Sequence, residues 1–290
     1  MMARGVGFFA QVAARPGSGG TIILFPDARP QTKASGNPWR KNALIEAITP
    51  DRVVEFLVWF LVFLFSLTIH EAAHALLARL GGDDTAYLGG QVSLNPLPHI
   101  RREPLGTLLM PLITFFMMGW TMGWASTPYD PHWARRHPRR QALMSAAGPV
   151  ANLLVATIAF VVLRLLLVRG ILVLPADTLS LSRLAVPDPV FGETSPLWAV
   201  AATLSIALTL NTVLFLFNLL PIPPMDGSGV AQGLFPDSIG RFMESLRGNP
   251  MMALLGLLVA WRVFPFIADP VFDRVLGWLY AGFSPGSEAL

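Results

Sequence analysis

Apolar residues recur along this chain in runs too long for an ordinary buried helix. "VVEFLVWFLVFLFSLTI", residues 53–69, carries a single charge, Glu55. Five such segments stand out: A at 53–80, B at 104–124, C at 141–168, D at 197–220 and E at 250–268. A spanning helix needs about 20 mostly apolar residues, and A, C and D reach that length. B contains Pro111, Gly119 and Gly123, which permit a break. E is marginal, because Arg262 and Pro265 interrupt it. Beyond it, "DPVFDRVLGWLYAGF" patterns as a short interfacial helix with its Trp and Tyr near the lipid headgroups. The pattern therefore predicts an all-α polytopic membrane protein with about four to six membrane segments. Residues 1–50 read as a polar tail with one short strand candidate, "TIILF". Residues 51–270 read as the membrane domain and 271–290 as a short amphipathic tail.

Composition sharpens this picture. The chain of 290 residues is 53% hydrophobic and 13% charged, against about 25% charged in a soluble domain. The lipid bilayer is the expected surroundings. The net charge of +3 is small, and the basic residues sit in loops. They read as topology signals rather than a nucleic-acid surface. There is no cysteine, so disulfides and thiolate ligands are excluded, and any metal must be held by His, Asp or Glu. The first twenty residues lack the apolar core and cleavage site of a signal peptide.

Three ionisable residues lie inside segment A. His70, Glu71 and His74, in "LTIHEAAHALL", form His-Glu-x-x-His. Positions four apart share a helix face, so the two imidazoles can bind one zinc ion with the glutamate beside a water on the metal. A plainer reading is a pair of histidines hydrogen-bonded between helices. Ionisable groups at membrane depth are costly, so a functional role is the default expectation. Catalytic zinc usually has three protein ligands. Asp83 and Asp84, among glycines at the end of A, read as a polar turn. Asp226, in "NLLPIPPMDG" after segment D, is the better candidate, although Pro, Asp and Gly are also ordinary turn residues.

Together these motifs resemble the site-2 protease family of intramembrane zinc metalloproteases. "AAGPVANLL", residues 146–154, is similar to that family's middle motif, and "GGQVSLNPLPHI" and "GWASTPYDP" resemble loops of its short bacterial members. The resemblance covers about residues 53–235, with neither a PDZ domain nor a CBS pair. It implies one Zn2+ held by His70, His74 and Asp226, with Glu71 as catalytic acid/base. It also implies substrate-binding or oxyanion roles for Asn152 and Asn218. The substrate it implies is a membrane protein with a transmembrane helix, and the place a bacterial inner membrane. The chain departs from the family where "RREPLGT" replaces the usual Asp-Pro, which removes the context for a role of His99.

The site constrains topology. His70 and His74 lie toward the end of A, and Asp226 lies just past the end of D, so those two ends must share a membrane side. That requires B to enter and return, or otherwise to cross an even number of times, and the first predicts a re-entrant segment at 104–124. Arg101, Arg102, Arg135, Arg136, Arg139 and Arg140 lie between A and C. The positive-inside rule puts that region and the site toward the cytoplasm. The basic residues of the tail, including Arg40, Lys41 and Arg52, oppose this orientation. Two other functions are compatible with the residues: a metal or proton transporter, since buried His and Asp also mark ion pathways, and an inactive relative that only binds membrane proteins.

Overall fold

The computed structural model describes residues 49–176, 179–240, 242–243 and 250–283. The tail at 1–48, with its strand candidate, lies outside the described residues. Among the described residues, four helices are long and apolar enough to cross a membrane. They are α1 (Pro50–Leu80), α3 (Pro138–Val168), α4 (Leu197–Asn218) and the later part, Leu254–Leu279, of α6 (Pro250–Leu279). A shorter apolar helix, α2 (Leu105–Met118), follows α1, and α5 (Asp226–Leu234) follows α4. The chain is an all-α polytopic membrane protein, with one two-stranded hairpin (Leu172–Val173 with Val186–Pro187) at the end of the bundle away from His70.

Helix directions follow from which residues meet. Met144 and Asn152 of α3 meet His74 and His70 of α1, in that order, so α3 runs against α1. Asn211 of α4 meets Asn152, while Ala201 and Leu208 pack in one cluster with Ala159 and Leu163. Hence α4 runs against α3 and parallel to α1. Gly256 of α6 abuts Pro223, and Leu279 at its other end accepts a bond from Arg164. The ends of α1 and α4 therefore lie on one side, as a shared site requires.

Segment B turns back inside the protein. α2 begins beside Trp124 and Phe63 and reaches Phe115, which packs on Phe56 and lies 4.9 Å beneath the Arg52 guanidinium. Gly119, at φ 84°, then reverses the chain in the left-handed conformation. The chain then runs without regular secondary structure to Thr127, which contacts Glu71. Where the two arms cross, a Cβ on Gly106 would stand 2.8 Å from the Trp124 ring, and one on Gly123 would stand 2.7 Å from Phe63. Glycine lets the arms touch there. Pro111 does not interrupt α2: it follows the wider turn Leu105–Leu109, and the Gly106 carbonyl of that turn accepts from the Trp124 N–H at 3.2 Å.

Local chemistry explains the helix starts. Thr49 caps α1 by accepting from the Arg52 N–H at 3.3 Å, with Pro50 at the first helical position. α3 likewise opens on Pro138, earlier than segment C suggested. Pro149 consequently lies inside the helix, and Ser145 loses its helical donor there. α6 differs more from expectation. It runs unbroken through Pro265 and Pro270 to Leu279, so the boundary expected at 270 falls within a helix and the interfacial helix is its continuation. Membrane helices tolerate proline where neighbours satisfy the freed carbonyls. α6 is held against Leu220, Met225 and Phe217 by Ala260 and Phe264.

Candidate metal centre

α1 carries His70 about 30 Å from its start and about 15 Å before its end, at 1.5 Å per residue. Both histidines and Glu71 are buried. Asp226 arrives from the first turn of α5, after the turn at 219–225 that contains the cis Pro223–Pro224 bond. Gly227 is needed beside it: a Cβ there would meet the backbone of Leu219 and Leu220. Asp226 Oδ2 lies 3.1 Å from His70 Nε2 and 3.3 Å from His74 Nε2, and the two Nε2 atoms are 3.0 Å apart. Tetrahedral zinc with bonds of about 2.0–2.1 Å places neighbouring ligand atoms about 3.3 Å apart. The three atoms already stand at nearly that spacing.

The outer sides of the rings show which lone pairs are free. His74 Nδ1 donates to the carbonyl of Met144 at 2.7 Å. His70 Nδ1 meets Asn152 Oδ1 at 2.5 Å. A carbonyl can only accept, so His74 holds its proton on Nδ1 and turns a bare Nε2 inward. Two bare nitrogens and a carboxylate oxygen then converge within hydrogen-bond distance. That donor set fits a cation, with the histidines braced from behind as metal ligands usually are.

Gly148 makes room for this arrangement. A Cβ on it would stand 2.6 Å from His70 Nε2 and closer still to His74 Nε2. The glycine packs directly against the two imidazoles. Glu71 accepts from Thr127 Oγ1 at 2.7 Å, and the same hydroxyl lies 3.0 Å from the Glu71 carbonyl. Thr127 stands on the returning arm of the re-entrant segment. That arm is tied to the end of α1 by Asp83, which accepts from the Asp130 N–H at 2.8 Å and from Thr85. The bond from the His132 N–H, more than the small burial that opposes it, keeps the Asp130 carboxyl below its ordinary value. Trp133 Nε1 and Arg140 both donate to the Gly81 carbonyl, closing the same corner.

The two asparagines implied by the resemblance are placed differently. Asn152 is fully buried, with its oxygen on His70 and its NH2 on Asn211 Oδ1 at 2.8 Å and the Ser66 carbonyl at 3.4 Å. It faces His70 on one side and Asn211 on the other. Asn218 is half-buried near the end of α4, and its NH2 donates to the Leu214 carbonyl at 3.0 Å. The remaining histidines lie apart from the cluster: His99 with the Ser93 carbonyl, His132 with Arg135, and His137 with the Trp133 carbonyl.

Residues 58–261 match the family model described as Peptidase family M50. The chain belongs to peptidase family M50. This M50 chain is 33% identical over 241 residues to "Putative zinc metalloprotease YwhC" of Bacillus subtilis, a match covering 81% of the chain and 96% of the relative. It is 28% identical over 221 residues to "Putative zinc metalloprotease Rip2" of Mycobacterium tuberculosis, covering 75% of the chain and 71% of that relative. No solved structure matches the chain. The M50 protein is a zinc metalloprotease of the site-2 type, embedded in a membrane.

Proposed function

We propose that this M50 protease hydrolyses peptide bonds in or near transmembrane segments of membrane proteins, using one zinc ion held by His70, His74 and Asp226. The observation that carries the reading is the convergence of two bare imidazole nitrogens and one carboxylate oxygen within the bundle. Bound zinc supplies Lewis acidity toward the scissile carbonyl and lowers the pKa of a water to about 7.

The protein's own residues do the rest. Glu71 adjoins the cluster and takes the proton of the attacking water, then delivers it to the leaving amine. Thr127 holds its carboxylate in one orientation through Oε2. His70 and His74 are fixed from behind, so the ligand set does not reorganise during the reaction. Asn218 is the residue we assign to substrate or oxyanion contact, because it is half-buried just before the turn that carries Asp226. Asn152 serves His70 instead. A substrate helix uses its carbonyls internally and has to unwind before attack. The returning arm at 119–127 is the segment we assign to receive such an unwound stretch along its backbone.

We place the site toward the cytoplasm in a bacterial inner membrane. Arg101, Arg102, Arg135 and Arg136 lie between the site-side ends of α1 and α3, and Arg139 and Arg140 stand in the first turn of α3, which is the positive-inside arrangement. The Asp226 side chain is 25% exposed, against 6% for each histidine, so water reaches the cluster from the aspartate side. The test is cleavage of a transmembrane substrate by detergent-purified protein. Wild type is expected to cleave and Glu71→Gln is expected not to. Equal cleavage by both would end the assignment of Glu71.

A further inference from the structure

A chain of hydrogen bonds leads away from the metal centre across three helices. His70 Nδ1 meets Asn152 Oδ1 at 2.5 Å, Asn152 Nδ2 donates to Asn211 Oδ1 at 2.8 Å, and Asn211 Nδ2 donates at 2.8 Å to both Ser66 Oγ and the Ala207 carbonyl. Ser66, Asn152 and Asn211 are all 0% exposed, so solvent does not compete for these bonds.

The two ends of an amide are assigned from their partners, and here the partners leave one assignment. Ala207 offers a backbone carbonyl, which can only accept. Asn211 must turn its NH2 to that carbonyl and its oxygen to Asn152. Asn152 must answer with its NH2, which also faces the Ser66 carbonyl. Its oxygen is then the group left for His70, and an amide oxygen can only accept. His70 must therefore carry its proton on Nδ1 and leave Nε2 bare. A backbone carbonyl in the middle of α4 thus dictates the form of a metal ligand on α1.

We propose that Asn211 is a positioning residue for the metal centre: acting through Asn152, it locks His70 in the tautomer that ligates through Nε2. The proposal rests on the zinc-protease reading above and goes beyond it. It gives a function to a residue outside the His-Glu-x-x-His and "NLLPIPPMDG" motifs. Replacing Asn211 with leucine removes the acceptor that orients Asn152. Asn152 is then held only by its longer bond to the Ser66 carbonyl at 3.4 Å, and turning by half a rotation to present its NH2 to His70 becomes accessible. The His70 proton moves to Nε2, where it blocks the metal. Outer-shell partners of metal-bound histidines typically contribute about 10- to 100-fold in affinity. Asn211 stands one residue farther out, so we expect about tenfold.

The experiment titrates zinc into the metal-stripped full chain against a chelator of known affinity. It compares wild type, Asn211→Leu and Thr209→Val, and records thermal unfolding of each. Thr209 is a buried hydroxyl on the same helix, bonded to the Leu181 carbonyl at 2.9 Å and outside the amide chain. Its loss should lower stability without touching His70. About tenfold weaker zinc binding in Asn211→Leu, with Thr209→Val at wild-type affinity, supports the proposal. Equal affinity in wild type and folded Asn211→Leu overturns it. Should Asn211→Leu not fold, nitrogen-15 spectra of zinc-free wild type in mildly alkaline buffer decide instead. A His70 proton on Nδ1 supports the proposal, and one on Nε2 overturns it. Failure of the zinc reading itself looks different, because wild type would then bind no zinc.

Discussion

Gly148→Ala sets two effects of opposite sign against each other. In a helix interior this change ordinarily stabilises by about 0.5–1 kcal/mol, through reduced backbone freedom in the unfolded chain. At Gly148 the added methyl would stand 2.6 Å from His70 Nε2 and 2.7 Å from its Cδ2, with His74 Nε2 closer still. In the zinc-free protein the rings can yield, and the helical gain offsets the strain. In the zinc-loaded protein each ring is held at both nitrogens, by the metal on one side and by Asn152 or the Met144 carbonyl on the other. Overpacking of this kind costs about 1–3 kcal/mol. Charged against the loaded state alone, that weakens zinc about 5- to 150-fold. The assay is zinc competition together with melting curves of stripped and loaded protein in detergent. The expected result is a zinc-free melting temperature near wild type and a clear loss of zinc affinity. Wild-type zinc affinity with full protease activity would refute the packing argument.

Three further outcomes follow from the same geometry. Thr127→Val should lower kcat about tenfold or more while zinc content stays unchanged, and Thr127→Ser should recover most of it, since a hydrogen bond to a charged group contributes about 1.5–3 kcal/mol; steady-state kinetics beside metal analysis checks this, and lost zinc would contradict it. Asp83→Ala removes the acceptor for Thr85 and for the Asp130 N–H, and should destabilise by about 1–3 kcal/mol in thermal melts. Because the chain has no cysteine, single cysteines at Arg136 and Thr194, both exposed, should be labelled from opposite sides of sealed vesicles; labelling from the same side would sink the proposed topology.

The part of the site visible in the sequence is the part that residue type and spacing encode. Two histidines four apart with a glutamate between them have little other use in an apolar helix. Asp226 stands out as an acid directly after a membrane-length run. The return of segment B followed from parity, because the ends of α1 and α4 had to share a side. What stayed hidden lacks such a signature. His74 is braced by the Met144 backbone carbonyl, which any residue would supply. Thr127 reaches Glu71 across 56 positions from an unremarkable loop. Gly106 had no reason to be chosen over Gly119 until the two arms were seen to cross. Asn152 had the right neighbourhood, but its turn toward His70 was hidden, since a family motif names a residue without saying which way it looks. The continuity of α6 was also illegible, because Pro265 and Pro270 break a soluble helix more readily than one packed in a membrane.

The central claim is that His70, His74 and Asp226 together hold one zinc ion beside Glu71. Zinc content per chain, measured on purified wild type, Glu71→Gln and Asp226→Ala, tests it most directly. The account predicts about one zinc in wild type and in Glu71→Gln, and far less in Asp226→Ala, which lacks the third ligand of a three-ligand site. Full zinc in Asp226→Ala, or none in wild type, would contradict it.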